Sequence, residues 1–264
     1  MSAWSEVQRA IEALSPHLAA MALISLRLLP VALLCPLFGG ASAPMHLKLG
    51  LVLALASFLH FSAGVSAPVV STALELAALA VREVVFGLTL GVIASLPFDA
   101  ARIGGRFIDL FRGSSAEAAL PLSGTKEAAT GDAFFHLLLA LCASGVIMPL
   151  WVSSLLRSFG WVKLGAIAPS HSVTMQVVKL VGVAFATGLA IGAPIAGLCL
   201  AVDGLVGLVS RAAPSLNPQE LGSPLRILGG GAVVWLLVGM IAERALAFAA
   251  DLPDTLRPLL ETGP

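Results

Sequence analysis

The chain has 264 residues, of which 58% are apolar and only 11% are charged, and its mean hydropathy is +0.98. A soluble domain of this length carries about a quarter charged residues, so the composition excludes an ordinary soluble protein and predicts a membrane protein. The formal net charge is zero and no basic run is present, so we do not expect nucleic acid to be a partner.

Six apolar stretches follow one another along the chain, and each has the roughly 20 residues that a helix needs to cross a bilayer. In chain order they cover approximately residues 14–38, 49–70, 72–98, 133–156, 177–209 and 225–250. Backbone polar groups need partners in lipid, and the apolar residues do not alternate with a period of two, so each stretch is predicted to be helical. The predicted fold is an all-α, polytopic helical membrane protein of about six apolar segments, in one domain over residues 1–264.

The first stretch has a second interpretation, because Ala41-Ser42-Ala43 after it resembles the cleavage site of a secretory signal. Arg27 interrupts the apolar run, however, and Pro44 would directly follow the cut. We therefore expect the first stretch to be retained as a segment of the protein.

Prolines and a polar connection divide the later part of the chain. Pro97 lies at the end of the third stretch, and Pro194 is expected to kink the long fifth stretch or to divide it into two helices. Residues 99–132 form a polar connection whose first part keeps helical spacing at Ile103 and Phe107. Such long connections often act as lids or plugs, and a solvated surface loop is the alternative. Residues 251–264 are taken as a C-terminal tail.

Charged residues occur within or at the edges of the apolar stretches, namely Arg27, Glu75, Arg82, Glu83, Lys179 and Asp203. A charge at the bilayer centre costs about 2.5–3.5 kcal/mol on insertion scales, so it should face protein or water. For Arg27, Glu83 and Asp203 we expect a specific partner. Arg82 and Lys179 are expected to extend from segment ends to the membrane surface.

Basic residues give no orientation for the six predicted spans. The side with both termini would carry six Lys and Arg residues and the opposite side seven, whereas an inner-membrane carrier has an excess on the cytoplasmic side. Either the number of segments is different, or the chain does not finally lie in a bilayer as a carrier does.

Small residues recur at a spacing of four, at Gly87 and Gly91 and again at Gly188 and Gly192. This spacing allows helix backbones to approach closely in lipid. Packing within the chain and packing against other subunits are both consistent with it.

The sequence offers no candidate for catalysis, cofactor binding or metal binding. Its three cysteines lie in apolar stretches without a CxxC motif, and its five histidines are scattered singly. The motifs HExxH and GxSxG and a phosphate-binding loop are also absent from the sequence. We therefore predict that the protein is not an enzyme and has no cofactor.

One segment carries a family resemblance. The sequence Arg211-Ala-Ala-Pro214-Ser-Leu-Asn217, followed by Gly222-Ser-Pro224-Leu-Arg226, is similar to the R-x-x-P-x-x-N and G-x-P-[LI]-[KR] pattern of the SctT/FliR family. Pro214 can end a helix and Asn217, the only asparagine in the chain, can cap local backbone groups.

Weaker matches to the same family follow in the right order. Arg27-Leu-Leu-Pro30 with Pro36 resembles the family's first segment, and Glu83 with Gly87 and Gly91 resembles its E-x-x-x-G-x-x-x-G helix. Residues Gly105, Asp109 and Gly113, with Pro121 beyond them, resemble its G-x-x-[IL]-D-x-x-x-G segment. The resemblance covers residues 27 to 228.

The resemblance implies a structural subunit of the type III secretion or flagellar export apparatus. Members assemble with two smaller, multi-copy membrane subunits into a helical export gate in the bacterial inner membrane. A larger gate protein controls the passage of unfolded secreted proteins. Arg27, Pro30, Pro36, Glu83, Gly87, Gly91, Asp203, Arg211, Pro214, Asn217 and Pro224 are expected to serve assembly, and Gly105, Asp109, Gly113 and Pro121 to belong to a gate loop.

A secondary transporter for a small solute is the alternative function. Transporters build solute sites from broken helices and polar groups near the bilayer midplane, and Pro194 with Asp203 is a faint example.

Overall fold

The computed structural model describes residues 3–40, 43–68, 70, 72–113, 117–118, 127–145, 147–166, 171–212 and 218–261. Its helices are α1 (Ala3–Leu34), α2 (Met45–Phe61), α3 (Ala73–Arg112), α4 (Ala129–Ser144), α5 (Ile147–Trp161), α6 (His171–Ala212) and α7 (Pro218–Glu261). A short 3-10 helix covers Pro36–Phe38, and two-residue strands β1 (Glu117–Ala118) and β2 (Glu127–Ala128) pair antiparallel. The predicted all-α, polytopic class is confirmed.

The described helices provide four or five potential membrane spans. Four are long and apolar enough by themselves: Leu14–Leu34 within α1, Ala73–Arg112, Val173–Ala212 and Gly222–Asp254. Helices α4 and α5 together would make a fifth, broken span. Helix α2 ends at Phe61 rather than near residue 70, so it is too short to span a membrane by itself. Gly64, three residues beyond its end, adopts a left-handed φ of 69°.

Three boundaries differ from the prediction. Helix α3 continues through Pro97 to Arg112, so the polar connection 99–132 is helical at both ends. Helix α6 runs from His171 to Ala212 with Pro194 inside it, so the proline does not divide the stretch into two helices. A kink at Pro194 stays a prediction. The predicted fourth segment is interrupted between Ser144 and Ile147, next to Gly145, and forms two helices.

The chain forms two compact units. The first comprises Met1–Ser95, Met148–Val178 and Leu252–Pro264, and α1 packs against α2 in its core. The second comprises Leu96–Ile147 and Lys179–Asp251, and its fully buried side chains include Phe98, Ile108, Leu138, Ile191 and Ile241.

Helix α7 leaves most of its apolar surface uncovered by the chain. Only 11% of the residues in its most apolar 18-residue stretch are buried, against 44% in the corresponding stretch of α1. Leu228, Trp235 and Leu236 are each about 70% exposed. Exposure of such an apolar surface to water is unfavourable, so we expect lipid or another protein to cover it.

Candidate functional site

A buried ion pair joins α1 and α3 in the first unit. Nε of Arg27 donates to Oε2 of Glu83 at 2.5 Å, and Nη2 donates to Oε1 at 3.1 Å. Both side chains are almost completely buried. The paired fork geometry matches guanidinium to carboxylate at two points, which is the strong form of this interaction. Each charge therefore has the specific partner that its place in an apolar stretch requires.

The same ion pair holds the segment after α5. Nη1 of Arg27 donates to the backbone oxygen of Val162 at 3.0 Å, and the backbone N–H of Gly165 donates to Oε1 of Glu83 at 2.6 Å. The guanidinium also lies over the Phe159 ring, 4.5 Å from its centroid. The pair thus fixes three parts of the chain at one buried point.

Small residues bring α1 and α3 close enough for this contact. A Cβ at Gly87 would collide with the backbone oxygen of Arg27, and one at Gly91 would lie 2.9 Å from that of Pro30. The small-residue face predicted on α3 therefore packs against α1 within the chain. Pro36 begins the 3-10 helix that follows α1.

In the second unit, Asp109 caps the start of α4. The backbone N–H of Thr130 donates to Oδ2 of Asp109 at 2.9 Å, and its hydroxyl donates to Oδ1 at 2.5 Å. The first N–H groups of a helix have no partner inside the helix and carry partial positive charge, so a carboxylate from α3 stabilises them. Gly105 permits the approach, because a Cβ there would collide with the backbone of Gly131.

The other end of the connection is fixed by Gly113 and Arg112. Gly113 ends α3 with a left-handed φ of 68°, which favours glycine. Nη2 of Arg112 donates to the backbone oxygen of Ile227 in α7 at 3.0 Å, and Nη1 lies 3.8 Å from Oδ1 of Asp109. Both ends of the segment between α3 and α4, which we call the central loop, are therefore held.

The remaining predicted residues are dispersed. Asp203 is half-exposed and pairs with Arg226 at 3.4 Å, which supplies the partner expected for it. Arg211 is exposed at the end of α6, and Pro224 is exposed in α7 near its start. Pro121, Pro214 and Asn217 lie outside the described residues.

Gly188 and Gly192 pack within the second unit. A Cβ at Gly188 would lie 2.8 Å from the backbone oxygen of Ala100, and one at Gly192 would lie 3.0 Å from that of Gly104. Packing within the chain thus accounts for the second small-residue face. Gly197, Gly204 and Gly207 of the same helix have open space at their Cβ positions.

Sequence reasoning missed Thr130, Val162 and Gly165. Thr130 is a polar residue in the first turn of a helix, which is a weak capping signal. Val162 and Gly165 contribute only backbone groups. Because nearly every residue has such groups, the residue type does not predict these contacts. Across the described part of the chain, no three His, Cys, Asp or Glu side chains are arranged to hold a metal ion.

Comparison with known proteins gives a consistent set of similarities. A family model described as bacterial export proteins, family 1, matches residues 18–251. The chain is 27% identical over 212 residues to the flagellar biosynthetic protein FliR of Bacillus subtilis (strain 168), covering 79% of this chain and 82% of that protein. It is 29% identical over 225 residues to FliR of Escherichia coli (strain K12), covering 82% and 83%. It is 29% identical over 224 residues to the Yop proteins translocation protein T of Yersinia pestis, covering 81% and 85%.

Proposed function

We propose, from the premise that the chain belongs to the bacterial export proteins, family 1, that it is a structural subunit of a type III protein export gate. The family is one of export-apparatus components and not of enzymes, so the chain is not an enzyme. In the proposed role the protein forms, with partner subunits, the channel through which unfolded proteins cross the bacterial inner membrane.

The family match over residues 18–251 is the observation that carries this proposal. The distribution of polar and apolar groups supports it. Arg27 and Glu83 satisfy each other inside the chain, whereas the apolar surface of α7 is left uncovered. A subunit of a larger membrane complex needs such surfaces for neighbouring helices.

The proposed partners are two smaller membrane subunits present in several copies, a larger gate protein, and the secreted proteins in transit. Arg27, Glu83, Gly87 and Gly91 would maintain the shape of the subunit that those partners recognise. The central loop, held at Asp109 and at Gly113, would help to close the channel before export. The contacts at its two ends support this role, because Asp109 bonds to Thr130 at the start of α4 and Arg112, next to Gly113, bonds to Ile227.

Co-purification tests the proposal. A tagged copy is expressed in its native host and extracted with a mild detergent, and the proteins that accompany it are identified by mass spectrometry. We expect two small hydrophobic export-apparatus proteins in a defined complex with several copies of each. A well-behaved monomer or homo-oligomer that binds a small solute would instead favour the secondary transporter.

A further inference from the structure

An open groove in the first unit lies beside the ends of α2 and α5. It has a volume of about 820 Å³, and its walls are residues 63–68 on one side and the end of α5 with residues 163–164 on the other. Hydrogen bonds to neighbouring elements fix both walls. The N–H of His60 Nδ1 donates to the backbone oxygen of Val65 at 2.9 Å, and Gly165 donates to Glu83. The groove is therefore a formed feature of the fold.

Two cations line this groove, and its described walls contain no carboxylate. Arg157 and Lys163 are both exposed, and no side-chain partner for either exists in the part of the chain that the structure describes. No Asp or Glu is among the described residues that line the groove. Glu83, which bonds to Gly165 in the same segment, is already occupied by Arg27. Two unpaired positive charges thus face one opening.

The rest of the groove surface is largely apolar. Phe58 is 51% exposed there, and Leu156 and Trp161 also line the opening. Two apolar helices end at this place, α2 at Phe61 and α5 at Trp161. In membrane proteins such ends lie near the lipid headgroups, where tryptophan is enriched and basic residues attract anionic lipids.

We propose that the groove binds an anionic phospholipid. The phosphate lies between Arg157 and Lys163, and an acyl chain lies along Phe58, Leu156 and Trp161. Inorganic phosphate can pair with the two cations, but it has no apolar part to cover the apolar side chains. A phospholipid has both a charged and an apolar part, so the groove favours the lipid. This site does not depend on the export function.

Fluorescence of Trp161 tests the proposal directly. In the full chain in mild detergent, Trp4, Trp151 and Trp235 are replaced by Phe, and phosphatidylglycerol or phosphatidylcholine with brominated acyl chains is added. We expect phosphatidylglycerol to quench Trp161 at an about thirtyfold lower mole fraction, in line with two basic residues at the headgroup. Inorganic phosphate at millimolar concentration should not prevent the quenching.

Two double variants separate the site from general charge effects. Arg157→Gln with Lys163→Gln should abolish the preference for phosphatidylglycerol. Lys179→Gln with Arg211→Gln removes two other exposed cations, which do not line the groove, and should leave the preference unchanged.

Three results would overturn the proposal: equal quenching by both lipids, prevention of quenching by phosphate alone, or loss of the preference in the control variant. If the variant with three Phe replacements does not fold, native mass spectrometry of the unmodified chain and of the Arg157→Gln, Lys163→Gln variant gives the same comparison. Equal retention of phosphatidylglycerol by these two proteins would likewise exclude the site.

Discussion

The guanidinium of Arg27 meets the carboxylate of Glu83 at two points, although the residues are 56 positions apart in the chain. Each partner also bonds to the segment after α5, through Val162 and Gly165. The pair therefore sets the position of α1, α3 and this segment together. Because both charges are buried, neither can lose its partner without leaving an uncompensated charge.

Replacing Glu83 by Gln should destabilise the first unit severely. The change leaves the Arg27 cation buried without its counter-charge, which typically costs about 3–5 kcal/mol. Thermal unfolding of the purified chain in detergent measures the effect, with exposed Glu243→Gln as the control. The double change Arg27→Met with Glu83→Leu should recover much of the loss, because no unpaired charge remains. Equal unfolding midpoints for Glu83→Gln and the unchanged protein would contradict the inferred role of the pair.

Replacing glycine by alanine should lower stability at two positions of α3 but not at an open position of α6. At Gly87 and Gly91 a Cβ would meet the backbone of α1, so Ala should separate the helices and lower stability. At Gly197 the space is open, so Ala should be neutral or stabilising by up to about 1 kcal/mol through its better helix propensity. Unfolding midpoints of the single variants in the same detergent provide the measurement. A stabilising Gly87→Ala would rule out close packing at that position.

Helix class and the small-residue faces could be predicted from the sequence because both depend on residue type and spacing, but whether these faces pack within the chain or against another subunit could not. The Glu83, Gly87 and Gly91 pattern places its residues on α3, and the structure brings Gly87 and Gly91 against α1. The end of α3 was harder to predict. Polar residues after Phe98 suggested a connection, but the helix continues because Ala100, Ala101 and Ile108 are buried in the second unit.

Contacts that use the backbone of distant residues could not be predicted. Val162 is 135 positions from Arg27 and accepts its hydrogen bond with a carbonyl group that every residue has. Asp109 was expected to belong to a gate loop, whereas it lies in α3 and caps α4. A carboxylate that caps a helix from another element depends on tertiary packing, for which single-sequence spacing gives no signal.

Adjacent glycines in α7 provide a matched test of the Arg112 contact. A Cβ at Gly230 would lie 2.7 Å from Cγ of Arg112, whereas one at Gly229 would lie 4.0 Å from its nearest neighbour, in Leu198. Gly230→Ala should therefore displace Arg112 from the backbone oxygen of Ile227 and impair secretion, and Gly229→Ala should have little effect.

Two changes that both disrupt the Arg112 contact should not have additive effects on secretion or stability. A double variant, Gly230→Ala with Arg112→Ala, should be no worse than the stronger single variant, because both remove the same interaction. Secretion and unfolding midpoints are measured for all four proteins. Additive losses would mean that Gly230 acts independently of Arg112.

Pro214 and Asn217 are predicted to shape the turn between α6 and α7. Ala at either position should impair secretion while the chain still accumulates in the membrane, because proline fixes a turn and asparagine caps local backbone groups. Membrane fractionation and a secretion assay give the two measurements. Undiminished secretion from both variants would remove these residues from the set of functional positions.

The contact of Asp109 with Thr130 should determine how tightly the central loop closes the proposed channel. Asp109→Ala removes the acceptor of two hydrogen bonds at the start of α4, and bonds to a charged group each contribute about 1.5–3 kcal/mol. We expect the loop base to loosen, so that cells expressing the variant become more permeable to small ions while secretion continues. Thr130→Ser keeps both donors and should behave as the unchanged protein, whereas Thr130→Val keeps only the backbone donor and should be intermediate. Because a destabilised subunit would lose secretion and ion leakage together, secretion with increased leakage identifies a loosened gate. Normal permeability in a secreting Asp109→Ala strain would mean that the held base of the loop has no part in closure.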